Sequence, residues 1–361
     1  MPGEGGIRWR VFEPSTVEQL AASFALRPGM YVGDCVAPDQ LVELFVEDVL
    51  SAGVTEVGVE LDERGAISLR VTSRERLSDW SREWEAALAD PRSTRVVHTL
   101  ALQLLRLAST ELEARWSGHE MLVAFRPDPA RFREPFAVHA SLGFFADLAT
   151  AHPGLRVFVR DRAAGLDATL TYPRGAMDRV LAEGARSRLN HRPLRIEGTV
   201  AEVRMDLALA WHQGPGLQLV ALVNGERSRN GGTHVLGFWE GVAASIETRL
   251  PPGRDRPRRR LTEREVPRNA VLVISVHLDN PEYGPATRDC LHDVRAREAI
   301  RTRVEEAFGQ WLDQEADRGD PPWQLLGGLH DGEPWMKTCA EMLSRPAGPP
   351  VPDAYLHRDD E

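Results

Sequence analysis

The sequence predicts an α+β protein made of two mixed regions and a tail. Three observations carry that expectation. Alternating strand patterns recur in pairs around short turns, as at 54–61 and 66–71. Amphipathic or apolar helical patterns lie between those pairs rather than in a block of their own. A polar link at Arg186–Pro193 interrupts the pattern and sets the expected boundary between 1–185 and 186–318, with 319–361 as a partly irregular tail.

The first region opens with a helical pattern at 16–26, followed by the breaker-rich segment Arg27–Asp34 (RPGMYVGD). Residues 38–52 repeat Leu41, Leu44, Phe45, Val49 and Leu50 at three- and four-residue spacing, and Gly53 suits the helix end. Val54–Leu61 and Ala66–Val71 alternate around the turn Asp62-Glu63-Arg64-Gly65. A polar helix at 78–90 carries Trp80 and Trp84, and an apolar helix follows at 95–108. Short strands at Leu112–Trp116 and Met121–Phe125, a helix at 136–150, a hairpin at Leu155–Arg160 and Ala168–Tyr172, and a helix at 175–184 complete the region.

The second region begins with long alternating strands at 194–213 and 217–224. The glycine turn Asn230-Gly231-Gly232-Thr233-His234 precedes a helix at 235–249. Residues 251–268 are rich in proline and arginine, Val271–Leu278 is the most hydrophobic strand, and 293–316 is a long amphipathic helix. The tail has a short helical pattern at 334–344, and Trp323 and Trp335 are its candidates for a partner-binding segment.

Composition narrows the function classes. The 361 residues carry a formal net charge of −10, which argues against a protein that coats nucleic acid with its whole surface. No apolar run approaches the roughly 20 residues that cross a bilayer. No basic-then-apolar leader pattern opens the sequence, so a cytoplasmic protein is expected. Cys35, Cys290 and Cys339 are too few and too scattered for a disulfide framework or a zinc ribbon. The eleven histidines include no His-x-x-x-His pair, and no metal site is expected. Of the 44 basic residues, Lys337 is the only lysine, as codon bias toward arginine would produce. Chemistry that needs a lysine ammonium therefore has one candidate, and it lies in the tail.

Several segments together resemble a known family. RPGMYVGD at 27–34 is similar to the N-terminal signature of the ATPase half of type IIA topoisomerases, meaning DNA gyrase B and its topoisomerase IV counterpart. Val223-Asn224-Gly225-Glu226-Arg227, then Gly231-Gly232-Thr233-His234 and Gly237-Phe238, resemble that family's transducer domain. Ala270–Val276 (AVLVISV) followed by Asn280-Pro281-Glu282-Tyr283 does so as well. The order and spacing agree from about residue 16 to 317. The resemblance implies a GHKL-type ATPase sandwich followed by a transducer with a four-stranded sheet and helices. Neither a metal-binding cleavage cluster nor a winged helix with a nucleophilic tyrosine is visible, so DNA cleavage is not expected of this chain.

Carried over residue by residue, the family's nucleotide site arrives altered. The general-base position matches Glu47; the other reading is a solvated glutamate on an amphipathic helix. The magnesium asparagine becomes Ser51. The family's Asp-Asp-Gly-Arg-Gly aligns with Val71-Thr72-Ser73-Arg74-Glu75, so the adenine-reading aspartate is Val71 or Thr72 and only Arg74 survives. Lid glycines near His98–Leu102 become Thr99 and Ala101, whose side chains obstruct backbone approach to phosphate. The transducer lysine of a Gln-Thr-Lys triplet becomes Arg288 in Ala286-Thr287-Arg288, which keeps the charge without the compact geometry.

A non-hydrolysing relative is therefore expected, acting as a homodimer or as the binder of a protein partner, with no cofactor. The competing expectation is an atypical ATP-driven clamp component that would need ATP and magnesium and a separate cleavage chain. A third concerns DNA: Arg254, Arg256, Arg258, Arg259 and Arg260, with Arg264 and Arg268, form either a phosphate-contacting loop or a solvated loop balanced by Asp255, Glu263 and Glu265. No membrane partner is expected.

Overall fold

The computed structural model describes residues 17–27, 37–50, 53–77, 100–185, 189, 192–212, 216–249, 270–284 and 288–317. The chain divides into two compact units at Pro173/Arg174.

The first unit holds helices α1 (Val17–Leu26), α2 (Asp39–Leu50), α3 (Leu100–Leu107) and α4 (Val138–Ala151). Its strands are β1 (Val54–Leu61), β2 (Ile67–Ser73), β3 (Ser109–Ser117), β4 (Glu120–Pro127), β5 (Arg156–Asp161) and β6 (Leu166–Thr171). They form one six-stranded sheet in the order β3-β4-β2-β1-β5-β6. Neighbours are antiparallel except β1 and β5, which run parallel. The two-residue period of the strands puts Val57, Val59, Ile67, Leu69, Val71, Val123, Phe125, Val157 and Val159 on one face. They share a single apolar cluster with Leu41, Phe45 and Val49 of α2 and with Leu102 and Leu105 of α3. Burying each such side chain stabilises the fold by about 1.5–3 kcal/mol before cavity effects. The other face carries polar and charged groups, with ion pairs Arg156–Glu56 across β5 and β1 and Arg160–Asp167 (2.6 Å) across β5 and β6.

The second unit holds α5 (Ala176–Gly184), α6 (Thr233–Arg249) and α7 (Val294–Asp317). Its sheet has the order β10-β9-β11-β8-β7, from β7 (Leu194–Val200), β8 (Val203–Trp211), β9 (Leu217–Val223), β10 (Glu226–Arg227) and β11 (Ala270–His277). Strand β11 is central, antiparallel to β8 and parallel to β9, and every residue from Ala270 to Val276 is buried. Its even positions Ala270, Leu272, Ile274 and Val276 join the apolar cluster of α6 and α7. Helix α5 packs on β8 and β11. Gly237 and Gly241, one turn apart on α6, let the backbone of α7 come close; a Cβ at either would overlap the carbonyl of Arg297 or Arg301.

The mixed α+β class and the expected strand pairs agree with this structure. Three features differ. The sheet of the second unit has five strands rather than the expected four, because the two-residue β10 pairs with β9 at its edge. Helix α5, expected at the end of the first region, belongs to the second unit. The Asp206 carboxylate on β8 accepts the Ala176 N–H at its N-terminus (2.9 Å), and α5 packs on β8 and β11. The division into compact units falls at 173/174, so the polar link at Arg186–Pro193 lies within the second unit. The stretch 194–213 also contains a hairpin turn at Ala201 and Glu202, both left-handed (φ 47° and 67°), although neither is a usual residue for that conformation. The expected helices at 78–90 and 334–344 lie outside the described residues. Among the described residues no helix is long and apolar enough to cross a membrane.

Candidate functional site

Helix α2 buries Leu41, Val42, Phe45, Val46 and Val49 along one stripe, the spacing of an amphipathic helix. Glu47 sits off that stripe and is exposed, while Asp48 is half-buried. Ser51 and Thr99 lie outside the described residues. Ala101, on the first turn of α3, is only 4% exposed and belongs to the apolar cluster of the unit.

The segment that follows β2 decides what this region can hold. Val71 is fully buried in the apolar cluster. Thr72 has its carbonyl occupied by the Thr55 hydroxyl (3.2 Å). Buried Ser73 donates its hydroxyl to the Gly53 carbonyl (3.3 Å) and accepts the Glu75 N–H (3.1 Å). The Ser73 N–H goes to the carbonyl of His119 (2.9 Å), the Arg74 N–H to that of Gly53 (3.3 Å) and the Leu77 N–H to that of Gly118 (3.1 Å). The backbone donors of 73, 74, 75 and 77 are thus engaged within the protein. A phosphate cradle needs such N–H groups free and converging. The Arg74 side chain is exposed.

In the second unit, Arg288 has a left-handed backbone (φ 58°), an ion pair from its Nη1 to the Glu226 carboxylate (3.4 Å) and a guanidinium carbon 5.2 Å from the centre of the Tyr283 ring. Burial, and then the Glu226 charge, push the Tyr283 hydroxyl above its ordinary pKa, with Arg288 opposing. Glu226 is placed by the Asn224-Gly225 turn (φ 53° and 92°), a pair suited to a tight hairpin. The Asn224 amide pins that turn by bonding both the N–H and the C=O of Leu278 (3.0 Å each).

The Gly231-Gly232-Thr233-His234 motif serves packing. Gly232 (φ 133°) lies flat against the Leu291 backbone, where no Cβ fits. The Thr233 N–H and hydroxyl bond the carbonyls of Leu291 and Asp293 (2.8 Å each). His234 is fully buried, neither ring nitrogen has a hydrogen-bond partner among the described residues, and burial lowers its pKa from 6.5 to about 3. Among the described residues no cluster of three His, Cys, Asp or Glu could hold a metal ion. The arginines at 254, 256 and 258–260 lie outside the described residues.

Glu47, Arg74 and Ala101 are each described in the first unit, and Arg288 in the second. Sequence reading missed the Glu226–Arg288–Tyr283 grouping. Only the Asn-Gly turn signals where Glu226 goes, and its partner is 62 residues away.

The family model for DNA gyrase B matches residues 177–321. Among curated relatives, the DNA gyrase B protein of Archaeoglobus fulgidus is 22% identical over 208 residues, 57% of this chain and 32% of that protein. The DNA gyrase B protein of Thermus thermophilus is 26% identical over 200 residues, 53% of this chain and 31% of that protein. The matches thus span about a third of these relatives' length. The 43K ATPase domain of Thermus thermophilus gyrase B, solved with an aminocoumarin, is similar with a TM-score of 0.65 and 20% identity, over 82% of this chain and 91% of that one. The topoisomerase IV ATP-binding domain of Francisella tularensis gives 0.63 and 16% identity, over 89% of this chain and 97% of that one.

Proposed function

We propose that this chain, a relative of DNA gyrase B with the fold of its ATPase region, is a pseudo-ATPase that dimerises or docks a protein partner without hydrolysing ATP. The observation that supports this most is the segment 71–77. Of Val71 and Thr72, the two positions where the resemblance puts the adenine-reading carboxylate, neither is acidic and Val71 stands in the apolar core, while the N–H groups of 73–75 and 77 are engaged by Gly53, Ser73, Gly118 and His119. The partner is a gyrase-associated protein or DNA, and the compartment is the cytoplasm. No cofactor is required for that role. A turnover assay tests it: no phosphate release above background at millimolar ATP and magnesium, with or without DNA, is the expected result. Turnover that depends on Glu47 overturns it.

A second reading keeps ATP. Glu47 is exposed on α2 and Arg288 retains a cation, so an atypical ATP-dependent clamp would use these with Ser51 and magnesium, and would work with a separate cleavage chain. The aminocoumarin seen in the Thermus thermophilus neighbour offers a probe. Tight binding of that compound here favours the clamp; absence of binding favours the pseudo-ATPase. DNA binding through the arginine loop is tested by changing Arg258, Arg259 and Arg260 together to alanine, which should flatten the salt dependence of binding.

A further inference from the structure

Strand β3 forms one edge of the six-stranded sheet, and among the described residues it pairs with β4 alone. An antiparallel strand at an edge turns every second N–H and C=O away from its one neighbour, which makes a template for another strand. From Glu111 to Ser117 the pairing with β4 is regular, and the segment holds no glycine or proline. Its two faces differ. Leu112, Ala114 and Trp116 are half-buried against the apolar cluster of the first unit. Glu111, Glu113 and Arg115 alternate with them and are exposed. The Arg115 Nε donates to Glu113 on the same strand (2.7 Å), and Glu111 lies 3.5 Å from Arg126 of β4. Charges on an edge strand normally keep other strands away. These are placed so that one pairing suits them.

That pairing is with a second copy of β3, antiparallel about a twofold axis at Ala114. Ala114 then faces its own equivalent, Leu112 faces Trp116, and Glu113 faces Arg115 on both sides of the axis. The neighbouring registers that keep the apolar faces together set Glu113 against Glu113 or Arg115 against Arg115, so like charges oppose them. The other edge, β6, has no such match: its exposed residues are Asp167, Thr169 and Thr171, and Asp167 is held by Arg160 (2.6 Å).

We propose that two copies of this chain join through β3, in that register, to make one continuous sheet. The proposal rests on the dimerising role put forward above and supplies its contact surface. An interface one strand wide belongs to the small, reversible class. Glu113 and Arg115 already pair within one chain, so facing a second copy exchanges one exposed ion pair for another at little cost. Backbone hydrogen bonds between the strands and the covering of Leu112 and Trp116 supply the gain.

Sedimentation equilibrium of the full chain, from micromolar to submillimolar concentration, tests it. Wild type should show a reversible monomer–dimer equilibrium. Glu113→Arg alone, or Arg115→Glu alone, sets like charges opposite each other on both sides of the axis and should weaken the dimer roughly tenfold. Mixing these two variants should recover wild-type affinity as a heterodimer, and Glu113→Arg with Arg115→Glu in one chain should recover it as a homodimer. Both positions are exposed, so the thermal melts of all variants should match wild type. A dimer that neither single variant weakens overturns this contact and leaves the dimerising role standing. Weakening without recovery on mixing overturns the register and the proposal with it. A wild type that stays monomeric throughout overturns both the contact and the dimerising role, and leaves the edge to a strand of another protein.

Discussion

Replacing His234 by leucine should change how stability depends on pH, and the size follows from its burial. The ring is fully buried on α6 and its pKa is lowered from 6.5 to about 3 by desolvation. In the unfolded chain the same imidazole takes up a proton below pH 6.5, while in the folded chain it stays neutral down to about pH 3. The unfolded state therefore binds more protons in that window, and stability falls as pH falls through it. At about 1.4 kcal/mol per pH unit, lowering the pH from 7 to 5 removes about 2 kcal/mol through this one group. His234→Leu should lack that component. Urea unfolding at pH 7 and pH 5 measures it, because groups that titrate elsewhere cancel between the two proteins. Wild type should lose about 2 kcal/mol more than the variant. Equal losses would show that the ring is hydrated or protonated in the folded state.

Other substitutions follow from the same contacts. Asn-Gly in place of Ala201-Glu202 should raise stability by about 1–2 kcal/mol, since it relieves two left-handed residues; a thermal melt reads this as a higher Tm. Gly232→Ala should cost about 3 kcal/mol or more in urea unfolding, because the new methyl meets the Leu291 backbone at a φ that disfavours side chains. Val71→Asp should lower stability by about 3–5 kcal/mol by burying an uncompensated charge, and calorimetry should show no gain in affinity for adenosine nucleotides. Asp206→Ala should uncap α5 and weaken the second unit by about 1–2 kcal/mol, seen as a lower urea midpoint.

Local physics makes much of the fold legible. The stripe Leu41, Phe45 and Val49 writes α2 into the sequence, and the alternation of Val57, Val59 and Leu61 writes β1. The hairpin at Ala201–Glu202 escapes, because its left-handed pair has no glycine or asparagine to signal it; strand pairing on either side imposes it. The residues of helix α5 do not reveal which unit it joins, because the Asp206 carboxylate that holds its N-terminus comes from 30 residues downstream. In the candidate site, the loss of carboxylate and glycines at 71–75 is readable directly. The engagement of their N–H groups is not, since Gly53 and the turn at Gly118–His119 are brought there by the sheet. Likewise Arg288 can be matched to a cationic position by motif, but Glu226 reaches it only through the β9–β10 turn.

Calorimetric titration of the full chain with a non-hydrolysable ATP analogue in the presence of magnesium tests the central claim most directly. A segment with Val71 in the core and its N–H groups engaged predicts no saturable binding up to millimolar analogue. Micromolar binding that requires magnesium, together with ATP turnover that disappears in Glu47→Ala, would contradict it.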